Sequence, residues 1–157
     1  MTETLDAPVL VLVDVDGARP TGPALELATA ARTLTAGDVV ALATGPVDDD
    51  ARAALAAAGA TRLLEADLGG ERTQAGVAAD ALAAAVTLVV PGAVLVTSDY
   101  RGKEVAARTA VLLDSACTGD VADLHVAGGH LRASKLVLSG SWSTTVSVAA
   151  DVEHPPV

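Results

Sequence analysis

The segment 93–121 constrains the fold of this chain more than any other. Its first four residues, Ala-Val-Leu-Val, are apolar and partly β-branched, which is typical of a buried strand. A polar break over 97–102 follows, and apolar spacing then predicts a helix from Lys103 to about Ser115. The apolar stripe of this helix consists of Ala106, Ala110, Leu113 and Cys117. Ligands and partners bind at the carboxyl ends of strands in open α/β sheets, so we expect 98–102 to line that edge. We also expect 94–96 to be a buried parallel strand that does not lie at the edge of its sheet.

Strands and helices alternate through the chain before this segment. Continuous apolar runs predict buried strands, and Ala-rich stretches between them predict helices. The predicted strands are 9–13, 39–43 and 62–65, and the predicted helices are 24–34, 51–58 and 73–88. The last helix is expected to turn Val77, Ala81, Leu82, Ala85 and Leu88 inward. Repeated strand–helix units have right-handed crossovers, which predicts a mostly parallel sheet between two helix layers.

The chain changes character after Asp120. Two strand-like runs, 121–126 and 131–138, flank Gly128-Gly129, which is a hairpin signal, and 143–148 alternates as a further strand. We therefore predict an α/β three-layer sandwich, Rossmann-like or adenine-nucleotide-hydrolase-like, with an antiparallel C-terminal extension. All of 1–157 is predicted to be one domain.

The composition excludes several classes of function. Hydrophobic residues make up 51% of the chain but aromatic residues only 1%, so the core must consist of Ala, Val and Leu. The net charge of −10 argues against nucleic-acid binding and against anionic membranes, since both need clustered Lys and Arg. A single cysteine, Cys117, excludes an internal disulfide and a thiolate-rich metal site. No signal peptide or membrane-spanning run is visible, which predicts a cytoplasmic protein without membrane insertion.

One run of residues resembles a known family. It is similar to the T-S-x-x-G-K-[DE]-x-x-x-R-x-A-x-x-L-D-like run of the N-terminal domain of electron transfer flavoprotein alpha subunits. The residues that carry this resemblance are Thr97-Ser98, Gly102-Lys103-Glu104, Ala107-Arg108-Thr109-Ala110, Leu112-Leu113-Asp114 and Gly119-Asp120-Val121. The resemblance implies a docking and structural domain in a heterodimer with a beta-type subunit. Such a complex passes electrons from dehydrogenases to an acceptor, so the chain would be part of an electron carrier and not an enzyme by itself.

The resemblance also implies FAD, but in the full-length complex. The family holds FAD through a second domain with a Ser-Gly-Gly-Arg-Gly-like turn, and the present sequence contains no such motif. We therefore expect no FAD on this chain alone, and a colourless purified protein. The family continues into one more strand where this sequence ends, so we expect an incomplete sheet and exposed apolar surface near Trp142 and Val146. A standalone nucleotide-binding module of the universal-stress type remains the alternative.

Four residues at the loop and helix start after 93–96 are candidates for cofactor binding, namely Ser98, Gly102, Lys103 and Arg108. The Gly102-Lys103 pair does not make a P-loop, because Thr97 and Glu104 stand where that motif needs Gly and Ser or Thr. For Gly102 a tight turn is the competing interpretation, and for Arg108 it is a surface pair with Glu104.

Other residues with chemical potential have simpler interpretations. Asp48-Asp49-Asp50 precede a helix and are expected to cap it. Across a two-residue turn, His125 and His130 are expected to point to opposite sheet faces, which argues against a shared metal. Cys117 is expected to be a small buried residue, and Trp142 to pack at a sheet edge. We predict no catalytic residue and no metal site.

Overall fold

The computed structural model describes residues 2–71, 74–148 and 154–157. The helices are α1 (Gly22–Leu34), α2 (Asp49–Ala57), α3 (Ala75–Val89) and α4 (Tyr100–Leu112), with a short 3-10 turn at Gly69–Glu71. The strands are β1 (Val9–Val13), β2 (Val15–Asp16), β3 (Arg19–Pro20), β4 (Val39–Ala43), β5 (Arg62–Glu65), β6 (Ala93–Leu95), β7 (Val121–Ala127), β8 (His130–Val137) and β9 (Trp142–Val146).

A four-stranded parallel sheet, in the order β5-β4-β1-β6, forms the middle layer. Every residue of β1 and β4 is buried, because helices cover both faces of these strands. Residues of α1 and α2 join one apolar cluster, and α3 joins a second cluster on the opposite face with Val105 of α4. The predicted three-layer α/β architecture is confirmed, and the strands predicted at 9–13, 39–43 and 62–65 have the bounds of β1, β4 and β5.

Side-chain caps fix where three of the helices begin. Thr21, Asp48 and Asp99 each accept a hydrogen bond from the backbone N–H three residues later. For Asp48 the acceptor is Oδ1 and the donor is the Ala51 N–H, at 2.7 Å, which confirms that the acidic run caps α2. The Asp99 cap starts α4 at Tyr100, three residues earlier than expected.

A separate three-stranded antiparallel sheet, β7-β8-β9, forms the C-terminal extension. Ala127 pairs with His130 across Gly128-Gly129, as the hairpin signal predicts. One face of this sheet joins the core beside α1, through Val126, Leu124 and Leu131. The N-terminus lies against the same sheet, because Glu3 forms an antiparallel bridge with Val126. The predicted extension is therefore present and is attached along one face.

Two expectations about helices are wrong. Leu88 is 69% exposed, whereas Leu82 and Ala85 of the same predicted stripe are buried as expected, together with Ala78. The start of the predicted helix, Thr73, lies outside the described residues. Cys117 is exposed and lies beyond α4, which ends at Leu112.

The placement of β6 corrects a third expectation. The strand is buried and parallel to β1, as predicted, but it takes the outer position of the four-stranded sheet. The N–H of Val94 donates to the carbonyl of Pro156 at 2.9 Å, so the C-terminal segment 154–157 covers only the start of this edge. Among the residues that the structure describes, no helix is long and apolar enough to span a membrane.

Candidate functional site

The order of the strands creates a crevice between β1 and β6. The chain passes from β1 to β4 and β5 on one side, and then returns to the other side of β1 to form β6. In doubly wound sheets, ligands bind outside the carboxyl ends of the strands at this reversal. The residues that follow the two strands, Asp14 after β1 and 96–99 after β6, lie there. The structure thus places the sequence-predicted loop beside the crevice.

An ion pair bridges this crevice. A guanidinium nitrogen of Arg101, in the first turn of α4, contacts Oδ1 of Asp14, and about a quarter of each side chain is exposed. The two residues are 87 positions apart, so only the fold brings them together. The pair joins the end of β1 to the start of α4 and occupies the space over the reversal of strand order.

Two backbone segments approach each other so closely at Gly102 that only glycine fits this position. A Cβ atom at this position would lie 1.8 Å from the carbonyl oxygen of Thr97, a distance that no side chain tolerates. Its N–H donates to Oδ1 of Asp99 at 2.6 Å, which caps α4. The packing of the loop against the helix therefore explains this glycine, which lies within α4 and not in a tight turn.

Asp120 joins two of the candidate residues. Its Oδ1 lies 2.6 Å from Nζ of Lys103, and its N–H donates to Oγ of Ser98 at 3.0 Å. The hydrogen bond from Lys103, followed by the positive charge of Lys103, lowers the pKa of the Asp120 carboxyl below its ordinary value. This exposed cluster of Ser98, Lys103 and Asp120 ties the loop after β6 and the start of α4 to the turn before β7. Asp120 belongs to the run that resembles the family, but its position in the sequence alone does not mark it as a site residue.

Arg108 lies apart from this cluster. Its Nε donates to Oε1 of Glu104 at 2.9 Å, and both side chains are more than half exposed. This is the surface pair that the four-residue spacing predicts. Of the four candidates, Ser98, Gly102 and Lys103 come together and Arg108 does not.

A cavity of about 460 Å³ adjoins the cluster. It runs along the outer edge of β6, opens to solvent, and is bordered by α1, the first turns of α4, the inner face of the antiparallel sheet and the C-terminal segment. Residues 94–98 line it without interruption, and its apolar walls include Leu27, Ala30, Ala106 and Leu131. Size and lining are those of a site for a small or extended ligand. Apolar side chains form most of this lining, and the polar cluster stands at one end.

The two histidines of the first hairpin lie on the same face of the β7–β8 ladder. His130 pairs with Ala127, and Ala127 stands two residues from His125 on β7, so the expectation that the two side chains point to opposite faces is wrong. Within the described ranges, no three His, Cys, Asp or Glu residues gather as metal ligands would.

Comparison with known families gives one match over most of the chain. Residues 9–152 match the family described as the electron transfer flavoprotein domain. No curated protein matches the chain. The matched range contains the whole parallel sheet, the cluster around Asp120 and the antiparallel strands.

Proposed function

Because this chain belongs to the electron transfer flavoprotein domain family, we propose that it is the alpha-type N-terminal docking domain of a heterodimer. In this proposal the chain, as the single domain 1–157, positions a beta-type subunit in a cytoplasmic complex. That complex passes electrons from dehydrogenases to an acceptor. FAD supplies the redox chemistry when bound, and it is held by parts of the complex other than this chain.

The Asp14–Arg101 pair is the observation that most supports a docking role over the nucleotide-binding alternative. A nucleotide at the β1–β6 reversal would need open space and backbone N–H groups aimed at its phosphates. Here the guanidinium of Arg101 is neutralised by Asp14 over that reversal, and Gly102 is committed to packing against Thr97. At the carboxyl edge of the sheet, Arg101 and Gly102 therefore hold the loop after β6 and the start of α4 in place.

The arm formed by the outer half of β8, β9 and the turn between them supports docking directly. Leu136, Leu138 and Trp142 of this arm are each at least 60% exposed. Val146, further along β9, is only half-buried. Leu136 pairs with Ser143 and Val137 pairs with Trp142, so Leu136 and Trp142 leave opposite faces of the β8–β9 ladder. Exposed apolar side chains on a hairpin are typical of a protein–protein contact. The expectation of exposed apolar surface near Trp142 is confirmed.

Co-expression with a beta-type subunit tests this function. We expect a stable 1:1 complex by light scattering after gel filtration, whereas the chain alone shows no flavin absorbance. Trp142→Ser should weaken the complex at least tenfold, because the indole is the largest exposed apolar group of the arm. Val111→Ser is the matched control, since Val111 is 81% exposed on α4, away from the arm.

Two results would contradict the proposal. The first is a chain that stays monomeric and ignores the beta-type subunit. The second is native mass spectrometry of the chain alone that finds a bound adenine nucleotide, which would favour the standalone module. If the Trp142 and Val111 variants weaken the complex equally, the arm is not part of the interface.

A further inference from the structure

We infer that the end of the arm inserts into a concave, uncharged apolar pocket of the partner, and that Leu138 is the residue that anchors it there. The side chains that enter the pocket are those of Leu136, Leu138 and Trp142. The inference rests on the proposed function, because the partner that carries the pocket is the beta-type subunit. It adds to that function the anchoring residue and the shape of the surface that receives it.

The first support is the backbone conformation of the turn between β8 and β9. Leu138 and Ser139 have φ angles of 52° and 55°, in the left-handed region that residues with a side chain rarely adopt. The N–H of Gly140 donates to the carbonyl of Val137 at 3.2 Å, so Leu138 and Ser139 are the two central residues of a tight turn. Hairpin turns with a positive φ at both central positions favour Asn-Gly there. The backbone of Leu138 is therefore strained.

The exposure of the Leu138 side chain means that the fold of this chain recovers little of that strain. The side chain is 72% exposed, so its burial in the free protein is small. Strained residues cluster at ligand-binding and switch regions, where the surrounding structure holds them in place. Here the last pair of the β8–β9 ladder, Val137 with Trp142, closes the turn. A leucine held in one backbone conformation loses little further freedom when a partner buries it.

The second support is the lack of charge along the arm. Residues 136–148 contain no Asp, Glu, Lys, Arg or His, although charged residues make up 19% of the chain and its net charge is −10. Exposed strands usually carry charged side chains, lysine above all, which discourage pairing with other chains. A basic surface would be attracted to the acidic remainder of the chain and would find no counterpart on the arm. The surface that fits the arm is apolar and uncharged.

The third support is the arrangement of the exposed apolar groups around the turn. Leu136 and Trp142 leave opposite faces of the β8–β9 ladder, and Leu138 lies in the turn between them. Leu136 is 60% exposed and Trp142 is 68% exposed. Because a flat surface covers only one face of a hairpin, a partner that buries all three side chains must enclose the end of the arm. Two strand residues span about 7 Å, which sets the depth of the pocket.

The first measurement compares the stability of the free chain with its affinity for the beta-type subunit. Asparagine tolerates a positive φ, so Leu138→Asn should raise the thermal midpoint of the free chain by about 2–4 °C. The same change should raise the Kd of the complex roughly tenfold or more, because the anchor is lost. Opposite effects on stability and on binding are expected of a strained residue that serves a contact.

Val90→Asn is the matched control for this change. Val90 ends α3 with a φ of 53° and is 50% exposed, outside the arm. The variant should raise the thermal midpoint in the same way, because asparagine relieves the same kind of strain. Its complex with the beta-type subunit should keep a Kd within about twofold of the wild-type value.

The second measurement tests whether the pocket encloses the end of the arm. Leu136→Ser and Trp142→Ser should each raise the Kd roughly tenfold or more, because both faces of the hairpin are buried in the complex. Leu88→Ser is the control, since Leu88 is 69% exposed on α3, and the Kd should stay within about twofold. The factor by which Leu138→Asn weakens the complex should stay within about twofold between ~50 mM and ~500 mM NaCl, because the contact carries no charge.

Several results would overturn the inference and leave the proposed function in place. A wild-type complex that tolerates Leu138→Asn would remove the anchor, and one that tolerates Leu136→Ser or Trp142→Ser would be built on a flat contact. Equal weakening by Val90→Asn, or a weakening by Leu138→Asn that falls as salt is raised, would place the effect outside an apolar pocket. A lower thermal midpoint for free Leu138→Asn would contradict the strain. A wild-type chain that forms no complex would contradict the proposed function itself, and the inference with it.

Discussion

The parallel sheet and the antiparallel sheet of this protein differ in how far their residues are buried. All ten residues of β1 and β4 are buried, whereas four of the five residues of β9 are exposed. The first sheet derives its stability from apolar side chains covered on both faces. The second has ladder hydrogen bonds on every strand but only one covered face. Stability is therefore concentrated in one layer, and surface for partners is concentrated in the other.

The junction between loop and helix at the carboxyl edge should be the most sensitive point of the parallel layer. Gly102→Ala would place a Cβ atom 1.8 Å from the Thr97 carbonyl oxygen, so two backbone segments must move apart. We expect a loss of about 4 kcal/mol or more in the free energy of unfolding, measured by urea denaturation.

Gly76→Ala is the matched control for that change. A Cβ there would meet its nearest atom, Nη1 of Arg108, at 3.9 Å, which is ordinary contact. Since alanine favours a helix interior, this variant should gain about 0.5–1 kcal/mol. A Gly102→Ala protein as stable as the wild type would contradict the packing explanation.

Truncating one leucine in each sheet compares the layers directly. Leu10→Ala in β1 removes a fully buried side chain, and we expect a cost of about 3 kcal/mol. Leu136→Ala in β8 removes a side chain that is 60% exposed, so the cost should stay below about 0.5 kcal/mol. Thermal or urea unfolding of both variants provides the test, and similar losses would mean that the arm is covered in solution.

The smallest effect concerns the pKa of Asp120. Lys103→Met should raise this pKa toward its ordinary value, because the hydrogen bond and the charge of Lys103 lower it. Lys135→Met should raise it less, since the charge of Lys135 is the weakest of the causes. Titration of the Asp120 carboxyl by NMR measures both changes.

The sign of the linked stability follows from the direction of the shift. A carboxyl whose folded-state pKa is lowered stabilises the fold above its unfolded value of about 3.9, and loses that contribution as the pH falls through the folded-state value. The difference in stability between wild type and Lys103→Met should therefore shrink as the pH is lowered into this window. A difference that grows on acidification would show that Lys103 acts on another group.

The strands of the parallel sheet could be predicted from the sequence more completely than the helices. The strand bounds of β1, β4 and β5 were predicted correctly, because continuous apolar runs between turn residues allow few alternatives. The buried face of α3 was predicted only in part, with Leu82 and Ala85 right and Leu88 wrong, since 75–89 contains apolar residues all round and several stripes fit it equally well. For Cys117 the error came from extending the apolar period past Leu112, where the helix ends.

The candidate site was only partly predictable for a different reason. Ser98, Gly102 and Lys103 follow from the rule that polar residues after a parallel strand line the sheet edge. Their partners do not, because Asp14 lies 87 positions from Arg101 and Asp120 reaches Ser98 across 22. No local pattern encodes such pairs. The outer position of β6 likewise depends on strand order, which periodicity does not contain.

The contacts of residues 3–5 can form only at different times during synthesis on the ribosome. Leu5 donates its N–H to the carbonyl of Leu34, a contact available once α1 has emerged. Glu3, two residues earlier, accepts at 2.5 Å from the N–H of Gly128 and bridges Val126. About 90 further residues must be translated before this second contact can form, which takes roughly 5–20 s. During those seconds Leu5 can already be bonded to Leu34, whereas Glu3, two residues away, still lacks its native partners.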